Sequence, residues 1–265
     1  MKLDIDVIRK HLATGEPKYE IRLFETVTST NAALREPAKA GAREGTVVIA
    51  DEQTAGHGRL GKPWFSPAGV NLYASVLFRP PIPPRDVAGF SFLSSVALAD
   101  AITAEGLEDC TIKWPNDVLV EGKKVAGTLV ECATIDDRVD YVILGVGVNL
   151  NVTRQALRQA LGASGSAASS LSEAAEREID RNAFAASFLT FLAAWALTYE
   201  KQGPARVLDT WRDRDILTGR RVEVRGEGIP YTGRVLGVDS EGYLVMRDTL
   251  GTRRRALTGE IRLAD

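Results

Sequence analysis

The chain has 265 residues, of which 45% are hydrophobic and 26% charged, and its formal net charge is −2 at pH 7. This length allows one large domain with a small appendage, and the composition is ordinary globular usage. The near-neutral charge excludes an overall attraction to nucleic acid or anionic lipid, so any basic function must be local.

The part of the chain before residue 217 mixes helical and strand patterns. In chain order, the patterns predict a helix over 4–13, a strand over 19–27, a helix over 29–42 disturbed at Pro37, and strands over 45–53 and 71–80. After the rigid segment 80–84 they predict an apolar helix over 86–105, strands joined by tight turns over 111–135 and 138–152, a small-residue loop over 161–173, and a helix over 180–201. The aromatic stripe of this last helix is interpreted as core rather than as a ligand site.

From Leu217 onward the pattern changes to short alternating strands separated by Gly and Asp-Ser turns. Four or five such strands predict a small barrel of the SH3 type. The predicted fold class is therefore α+β, with a mixed sheet flanked by helices in residues 1–215 and the barrel in residues 216–265.

The two cysteines, Cys110 and Cys132, each have apolar or β-favouring neighbours. We interpret them as buried free thiols in a reducing compartment, since their spacing fits no zinc pattern. No apolar run approaches the length of a membrane span, and residues 1–14 lack a signal-peptide core. The sequence therefore predicts a cytoplasmic protein with no membrane contact.

The stretch QTAGHGRLGKPW, residues 53–64, follows a predicted strand and has no helical or strand period. Its glycines allow the main chain to bend and to present consecutive N–H groups to an anion. Arg59 and Lys62 add positive charge, and Trp64 offers a flat face suited to a purine. The loop does not match the P-loop pattern, and on composition alone a solvated surface loop is the simpler explanation. The interleaving of glycines and cations just after a strand favours a binding site.

Four further clusters combine residues that suit a site, although each has a structural explanation. TSTN at Thr28–Asn31 is also a helix N-cap, and KWPND at Lys113–Asp117 is also a turn. GKKVAG at Gly122–Gly127 offers Lys124 beside an apolar strand, where a surface lysine is the usual explanation. GVGVN at Gly145–Asn149 places two glycines inside a strand, which is costly unless another group must approach closely.

In this order, the motifs TSTN, DEQTAGHGRLGKPW, KWPNDVLVEGKKVAGTLVE and GVGVN resemble those of biotin–protein ligases, also called biotin–[acetyl-CoA-carboxylase] ligases. The resemblance covers about residues 19–150 through the motifs and extends to the C-terminal barrel by architecture. It implies a class II synthetase-like catalytic domain of the biotin/lipoate ligase type, followed by an SH3-like barrel.

The resemblance implies a biotin site and a nucleotide site that share the loop. Hydroxyls and a primary amide would bind the ureido end of biotin, since a ureido group has both donors and an acceptor. The residues implied at biotin are Ser29, Thr30, Asn31, Gln53, Gly56, His57, Gly58, Arg59, Lys124, Gly127, Gly145 and Gly147. The residues implied at the nucleotide are Arg59, Lys62, Trp64, Lys113, Asn116, Lys124 and Asn149, and the implied catalytic residues are Lys124, Arg59 and Asp117.

The implied reaction joins two anions. The carboxylate of biotin attacks the α-phosphorus of ATP, with Mg²⁺ screening the phosphates, and biotinyl-5′-AMP and pyrophosphate form. Lys124, in a K-x-x-G pattern, would place a buried ammonium between the anions and lower their repulsion. A lysine of a biotin carboxyl carrier domain then attacks the anhydride, and AMP leaves. No metal site made of protein residues is predicted, and monomer and homodimer both stay open.

The loop departs at two positions from the usual family pattern, Gly-Arg-Gly-Arg-x-Gly-Arg-x-Trp. His57 stands at the first arginine and Lys62 at the third. The lysine offers a point charge in place of a fork, and the histidine makes the charge at that corner sensitive to pH. These changes bear on how strongly the intermediate is retained and not on which reaction occurs.

Three alternatives can be weighed from the sequence. Some family members carry an N-terminal DNA-binding module, but only 28 residues precede Ser29, so we expect no DNA-binding role. A lipoate or octanoate ligase or transferase of related fold would have no use for the polar set around Thr30 and Gln53, because its substrate lacks a ureido end. A non-enzymatic biotin-binding module would not need Lys124.

The anhydride that the resemblance implies is sensitive to water. We therefore expect residues 54–63 to be mobile without ligand and to close over the anhydride when it forms. We expect a protease to cut this loop readily in the free protein, and biotin plus ATP to protect it. Limited proteolysis with mass spectrometry of the cut sites measures the difference, with ATP alone as the control. Equal cleavage with and without biotin plus ATP would contradict the closure.

Overall fold

The structure is a computed structural model, and it describes residues 2–12, 18–225 and 230–264. The strands of its larger sheet are β1 Glu20–Val27, β2 Thr46–Gln53, β3 Leu72–Phe78, β4 Cys110–Lys113, β5 Asp117–Val120, β6 Lys123–Ile135 and β7 Arg138–Val148. They lie in the order β1-β2-β3-β7-β6-β5-β4. β1 and β2 are parallel and the other neighbours are antiparallel, so the sheet is mixed, as the sequence predicts.

Helices cover the two faces of this sheet unequally. They are α1 Ile5–His11, α2 Thr30–Lys39, α3 Gly89–Ala104, α4 Arg154–Leu161, α5 Leu171–Ala175, α6 Arg181–Gln202 and α7 Pro204–Arg212. One face packs on α3 and α6 through the main apolar core. On the other face, α2 packs over Val48, Leu77 and Ile143. The rest of that second face carries the glycines of GVGVN and is where the candidate site lies.

The predicted small-residue loop over 161–173 is largely helical, so that prediction is wrong. α4 begins after Thr153, whose side-chain oxygen accepts a hydrogen bond from the N–H three residues on. A 3₁₀ helix over Gly162–Ala167 and the short α5 follow. A small apolar cluster around Leu157 holds α4 and the 3₁₀ helix, and α5 packs on the main core through Leu171. α7 is a further helix that the sequence patterns do not indicate.

A second sheet follows, with the strands β8 Arg221–Arg225, β9 Tyr231–Val238, β10 Leu244–Asp248, β11 Arg253–Ala256 and β12 Glu260–Leu263. Its order β11-β10-β9-β8-β12 and its antiparallel pairing agree with the expected SH3-type barrel. Inward residues of the barrel such as Val222 and Met246 belong to the same core as α3. The backbone N–H of Ile216 also donates to the carbonyl of Ile112 on β4. One continuous core spans the join, and the division at residue 216 stays a prediction.

The two cysteines differ in exposure. Cys110 is buried on β4, and burial raises the pKa of its thiol to about 12. Cys132 is exposed, so the prediction of two buried thiols is wrong for it. It lies on the part of β6 beyond Gly127, where the pairing with β5 ends.

Two segments, Pro84–Ala104 and Arg181–Gln202, are long and apolar enough to span a membrane by length and composition alone. This differs from the expectation that no apolar run approaches that length. The helices α3 and α6 of these segments pack against each other, and 61% and 44% of their most apolar stretches are buried inside the protein. The aromatic stripe of α6 is core, as predicted, with Phe184 and Phe188 fully buried. A helix that is apolar on several faces is typical of such a core position.

Trp211 of α7 is fully buried, and its ring packs edge-on against Phe92 of α3 with the centroids 5.2 Å apart. Trp211→Ala leaves a large cavity, so we expect the free energy of unfolding to fall by about 3–5 kcal/mol. Trp211→Phe is the matched control, because it keeps a ring against Phe92 and removes an indole N–H that has no partner in the described structure. Urea denaturation gives the unfolding midpoint of each variant. Equal midpoints for Trp211→Ala and Trp211→Phe would rule out this role of the ring.

Candidate active site

A row of residues crosses the open part of the sheet. Lys113 of β4 is paired with Asp117 of β5, and Asp117 is paired with Gly127 of β6. Gly127 is in turn paired with Gly147 of β7. Directly opposite residues on antiparallel neighbours point to the same face, so all four share one surface. This surface changes from a cation and a carboxylate at one end to bare backbone in the middle.

The glycines of β7 are required because side chains lie directly against them. A Cβ atom at Gly145 would overlap the amide of Asn31, and a Cβ atom at Gly147 would overlap the indole of Trp64. At Gly127 the nearest atoms would lie 3.4 Å from a Cβ atom, which a small shift can accommodate. The glycines therefore allow an amide and an indole to reach the surface of the sheet.

A polar cluster forms the end of the cavity opposite the charged row. Ser75 of β3 is fully buried, and its hydroxyl donates to Oδ1 of Asn31 at 2.6 Å. The N–H of Thr30 donates to Oε1 of Gln53 at 2.9 Å, and Nε2 of Gln53 donates to the Ser66 hydroxyl at 3.0 Å. The amide nitrogen of Asn31 is buried with no partner within the described residues. The cluster therefore leaves one buried donor for a ligand.

Ser66 and Ser75 position these amides, and sequence reasoning does not identify either residue. Ser75 sits in an apolar strand, and only its register opposite Gly145 brings it to Asn31. Ser66 lies outside every motif. Ser29 stands at the N-cap of α2 but its side chain makes no cap hydrogen bond, so capping does not account for its hydroxyl.

Lys124 occupies the charged end of the cavity. Its ammonium is 2.6 Å from Oδ1 of Asp117 and lies 5.2 Å from the centroid of the Trp64 ring. The side chain is 34% exposed, so the ammonium is half-buried and not buried as expected. Burial lowers the pKa of the neighbouring Lys113, and the Asp117 charge opposes that shift. Two ammonium groups around one carboxylate leave this end positively charged.

The glycine-rich loop is tied to the barrel. Arg59 donates from Nη2 to the Thr258 hydroxyl at 2.7 Å, and Nζ of Lys62 is 2.9 Å from Oε2 of Glu260. Within the loop, the N–H of Gly58 donates to the carbonyl of Lys62 at 2.7 Å. Burial lowers the pKa of the Arg59 guanidinium, and the hydrogen bond from Lys62 lowers the pKa of Glu260. The barrel thus adds polar groups that no sequence motif contains.

His57 links the loop to the sheet. Its Nε2 is 3.8 Å from Oε1 of Glu131 on β6, and Oε2 of Glu131 accepts a hydrogen bond from Arg35 at 2.8 Å. The histidine at the first arginine position of the family pattern therefore lies at a contact between the loop and β6. The pH sensitivity expected of it stays a prediction.

The two asparagines implied at the nucleotide bond to backbone groups in this structure. Asn116 donates its amide to the carbonyl of Thr128, and Nδ2 of Asn149 donates to the carbonyl of Ser169 at 3.0 Å. These bonds hold the KWPND turn against β6 and hold the end of β7 beside the segment before α5. Contact of either asparagine with a nucleotide stays a prediction.

One cavity of about 960 Å³ gathers the candidate residues. All residues implied at biotin, at the nucleotide or in catalysis line it except Gly56. A Cβ atom at Gly56 would collide with the side chains of Ser66 and Gln53. This glycine therefore leaves room for these two side chains without lining the cavity itself. Residues from 157–168 and 259–263 also line the cavity, although no motif includes them. The volume is at the upper end for small-molecule sites, roughly 300–1,000 Å³.

The sequence profile of the Biotin/lipoate A/B protein ligase family matches residues 23–149. The bifunctional ligase/repressor BirA of Bacillus subtilis is 32% identical over 96% of this chain and 77% of its own length. The biotin–[acetyl-CoA-carboxylase] ligase of Mycobacterium tuberculosis is 35% identical over 89% of this chain and 86% of its own length. The chain belongs to the biotin protein ligase family.

Solved structures agree with this ligase assignment. The biotin protein ligase from Aquifex aeolicus in complex with biotin and ATP has a TM-score of 0.76 and 25% identity, covering 93% of this chain and 99% of that chain. The predicted architecture, a mixed sheet with flanking helices followed by an SH3-like sheet, is confirmed.

The ligase cavity offers few ligands for a metal ion. Among the described residues, no group of three or more His, Cys, Asp or Glu side chains could hold one. The carboxylates that line the cavity, Asp117 and Glu260, are each paired with a lysine. Mg²⁺ commonly binds through one or two carboxylates together with substrate phosphates and waters. This donor set therefore fits an ion that arrives with a nucleotide.

The close approach at Gly145 gives a prediction for the ligase. Gly145→Ala would push the Asn31 amide off the sheet, and we expect the affinity for biotin to fall about tenfold or more. Gly127→Ala is the matched control, since its Cβ atom would meet its neighbours at 3.4 Å. Isothermal titration with biotin measures both. The explanation fails if the two variants bind biotin equally well.

Proposed function

We propose that this protein activates biotin with ATP to form biotinyl-5′-AMP and pyrophosphate, and then transfers biotin to a lysine of a biotin carboxyl carrier domain. One observation carries the proposal. A single cavity has a polar end with an unpaired donor at Asn31, a middle where the Trp64 indole lies on the glycines of the sheet, and a cationic end at Lys124. Biotin has a ureido head, an apolar middle and a carboxylate tail, which is the same order of chemistry.

The polar end supports biotin over lipoate or octanoate. A buried donor without an acceptor costs free energy, and a ureido oxygen would supply the acceptor that Asn31 lacks. The Ser29 hydroxyl and the second N–H of the Gln53 amide add further hydrogen-bonding capacity. Lipoyl and octanoyl groups have no ureido end and would leave these polar groups unpaired.

The cationic end supports activation of the carboxylate. A biotin bound with its head at Asn31 would extend past the Trp64 indole, so its carboxylate would lie towards Lys124. Attack on the α-phosphorus brings two negative groups together, and the Lys124 ammonium offsets their repulsion as charge moves to the bridging oxygen. Asp117 keeps that ammonium oriented at 2.6 Å before substrates bind. Holding both reactants in line adds a proximity effect.

The loop cations would bind the phosphates of ATP. Arg59 and Lys62 contact Thr258 and Glu260 of the barrel. An arriving triphosphate would replace these partners, and the loop would then cover the anhydride and exclude water. The phosphates together with Asp117 or Glu260 would hold Mg²⁺, which supplies charge neutralisation on the leaving pyrophosphate.

Transfer needs an amine and an acceptor for its proton. The ε-amine of the carrier lysine attacks the carbonyl carbon of biotinyl-5′-AMP, the amide bond forms, and the bond to the phosphate oxygen of AMP breaks. Asp117 lies beside Lys124 and therefore beside the anhydride, where its carboxylate can accept the proton that the amine loses. This assigns Asp117 a role in both steps.

The decisive experiment incubates the protein with biotin, MgATP and a biotin carboxyl carrier domain. We expect pyrophosphate release and a mass gain of one biotinyl group on one carrier lysine. Lipoate in place of biotin should give neither signal. Modification by lipoate without modification by biotin would favour the alternative, a lipoate or octanoate ligase or transferase.

Lys124→Ala tests the role of the ammonium. Loss of one preorganised group of this kind typically slows a reaction by ~10²–10³, and we expect that loss in biotin-dependent pyrophosphate release. Lys123→Ala is the matched control, because Lys123 is the preceding residue of β6 and does not line the cavity. Equal rates for the two variants would refute this role of the Lys124 ammonium, whereas no pyrophosphate release from the unmodified protein would favour a biotin-binding module without ligase chemistry.

A further inference from the structure

Four arginines lie side by side across the C-terminal barrel. Arg221 of β8 is paired with Arg234 of β9, and Arg234 with Arg247 of β10. Arg247 is paired with Arg253 of β11. Paired residues on antiparallel strands share a face, and neighbouring strands are about 4.8 Å apart, so the four guanidinium stems span roughly 14 Å. We call these four residues the arginine row.

The arginine row is exposed and has no carboxylate partner. All four residues are exposed, and none of them forms a salt bridge within the described part of the chain. Arg234 donates to the carbonyl of Gly219 and to no acidic side chain that the structure describes. By contrast, Arg254 and Arg255, the next two residues of β11, are both held by aspartates. The row therefore keeps its positive charge available to another molecule.

Folding does not explain the arginine row. Like charges directly opposite each other destabilise a sheet, so the row costs stability. Charged side chains often protect edge strands from pairing, but β8, β9 and β10 each have a neighbour on both sides. The formal net charge of −2 also shows that the row does not follow from a basic composition. A negatively charged partner is the remaining explanation.

Two exposed leucines favour a protein partner over nucleic acid. Leu236 is two residues along β9 from Arg234, shares its outward face and is 46% exposed. Leu250 lies in the turn between Arg247 and Arg253 and is 87% exposed. Protein interfaces combine arginine with apolar side chains, whereas the contacts of a phosphate backbone are polar and charged.

The arginine row begins beside the cavity. The carbonyl of Arg221 accepts a hydrogen bond from the N–H of Ala264. The adjoining pair of the same two strands is Val222 with Leu263, and Leu263 lines the cavity. Leu217, four residues before Arg221, lines it as well. Arg221 is therefore one residue from the wall of the cavity, although its side chain points to the opposite face of β8 from Val222, and a protein bound along the row would have one end close to the rim of the cavity.

We propose that the arginine row docks an acidic face of the biotin carboxyl carrier domain. The inference rests on the proposed function, which requires a protein substrate to approach this cavity. Complementary charge outside the chemical centre acts mainly on the rate of encounter and on its salt dependence. No residue of the row lines the cavity, so the row serves the transfer step and leaves the activation of biotin unchanged.

The test replaces all four residues of the arginine row with glutamine in the full chain. Biotin-dependent release of pyrophosphate from MgATP is measured first and should match the unmodified protein. Transfer to an isolated carrier domain with a free acceptor lysine is then measured at low and at physiological salt. We expect kcat/KM for the carrier to fall roughly 10- to 100-fold at low salt, mainly through KM, and to lose most of its salt dependence.

Two controls separate the arginine row from net charge and from folding. Arg9, Arg43, Arg85 and Arg206 are exposed outside the barrel, and their replacement with glutamine removes the same charge. This variant should keep the transfer rate of the unmodified protein. Replacement of the row with lysines keeps the charge and should retain most of the transfer rate, because long-range attraction depends on charge and not on the fork of the guanidinium.

Three results would overturn the docking role. They are an unchanged kcat/KM for the carrier in the glutamine variant, an equal loss in the control variant, and row-dependent binding of a short DNA duplex with row-independent carrier transfer. Absence of pyrophosphate release in the unmodified protein would refute the proposed function instead. Fluorescence anisotropy with a labelled carrier domain would then still test the docking role of the arginine row. Equal affinities of the unmodified protein and the glutamine variant for the carrier domain would exclude that role.

Discussion

In the proposed reaction two negatively charged reactants meet in one cavity, and this electrostatic constraint accounts for the arrangement of the site. The register of three strands places Asp117, Gly127 and Gly147 on one face, with Lys124 ion-paired to Asp117. Because the middle of that row has no side chains of its own, the Trp64 indole can lie on the sheet and form an apolar surface between the polar end and the cationic end. The other face of the sheet is closed by the core helices α3 and α6, so a ligand can occupy only this side.

The barrel takes part in the same charge balance. Glu260 and Thr258 contact Lys62 and Arg59 beside the cavity. In the proposed reaction the oxygens of a triphosphate would replace these partners. At its other end the loop is anchored to β6 through His57. The loop therefore contacts both the barrel and β6.

Motif order suffices to predict the fold class and to name residues that share a cavity, because each motif ends a strand or forms a turn. Ser75 and Glu260 escape sequence reasoning, since one acts through strand register and the other through a contact with Lys62 across 198 residues. The exposure of Cys132 depends on where β5 stops pairing with β6, which no local pattern records. Segment 161–173 lacks helical periodicity, and its short helices form because tertiary packing holds them.

The unbroken core beneath both sheets makes the catalytic part and the barrel one cooperative unit. Backbone hydrogen bonds join Ile112 to Arg214 and Ile216 on either side of it, so the barrel cannot loosen without disturbing the strand that ends at Lys113. Ligand binding to the folded state alone stabilises that whole unit by mass action. Substitutions that loosen the core of the barrel would therefore lower the rate of catalysis without changing any reacting group.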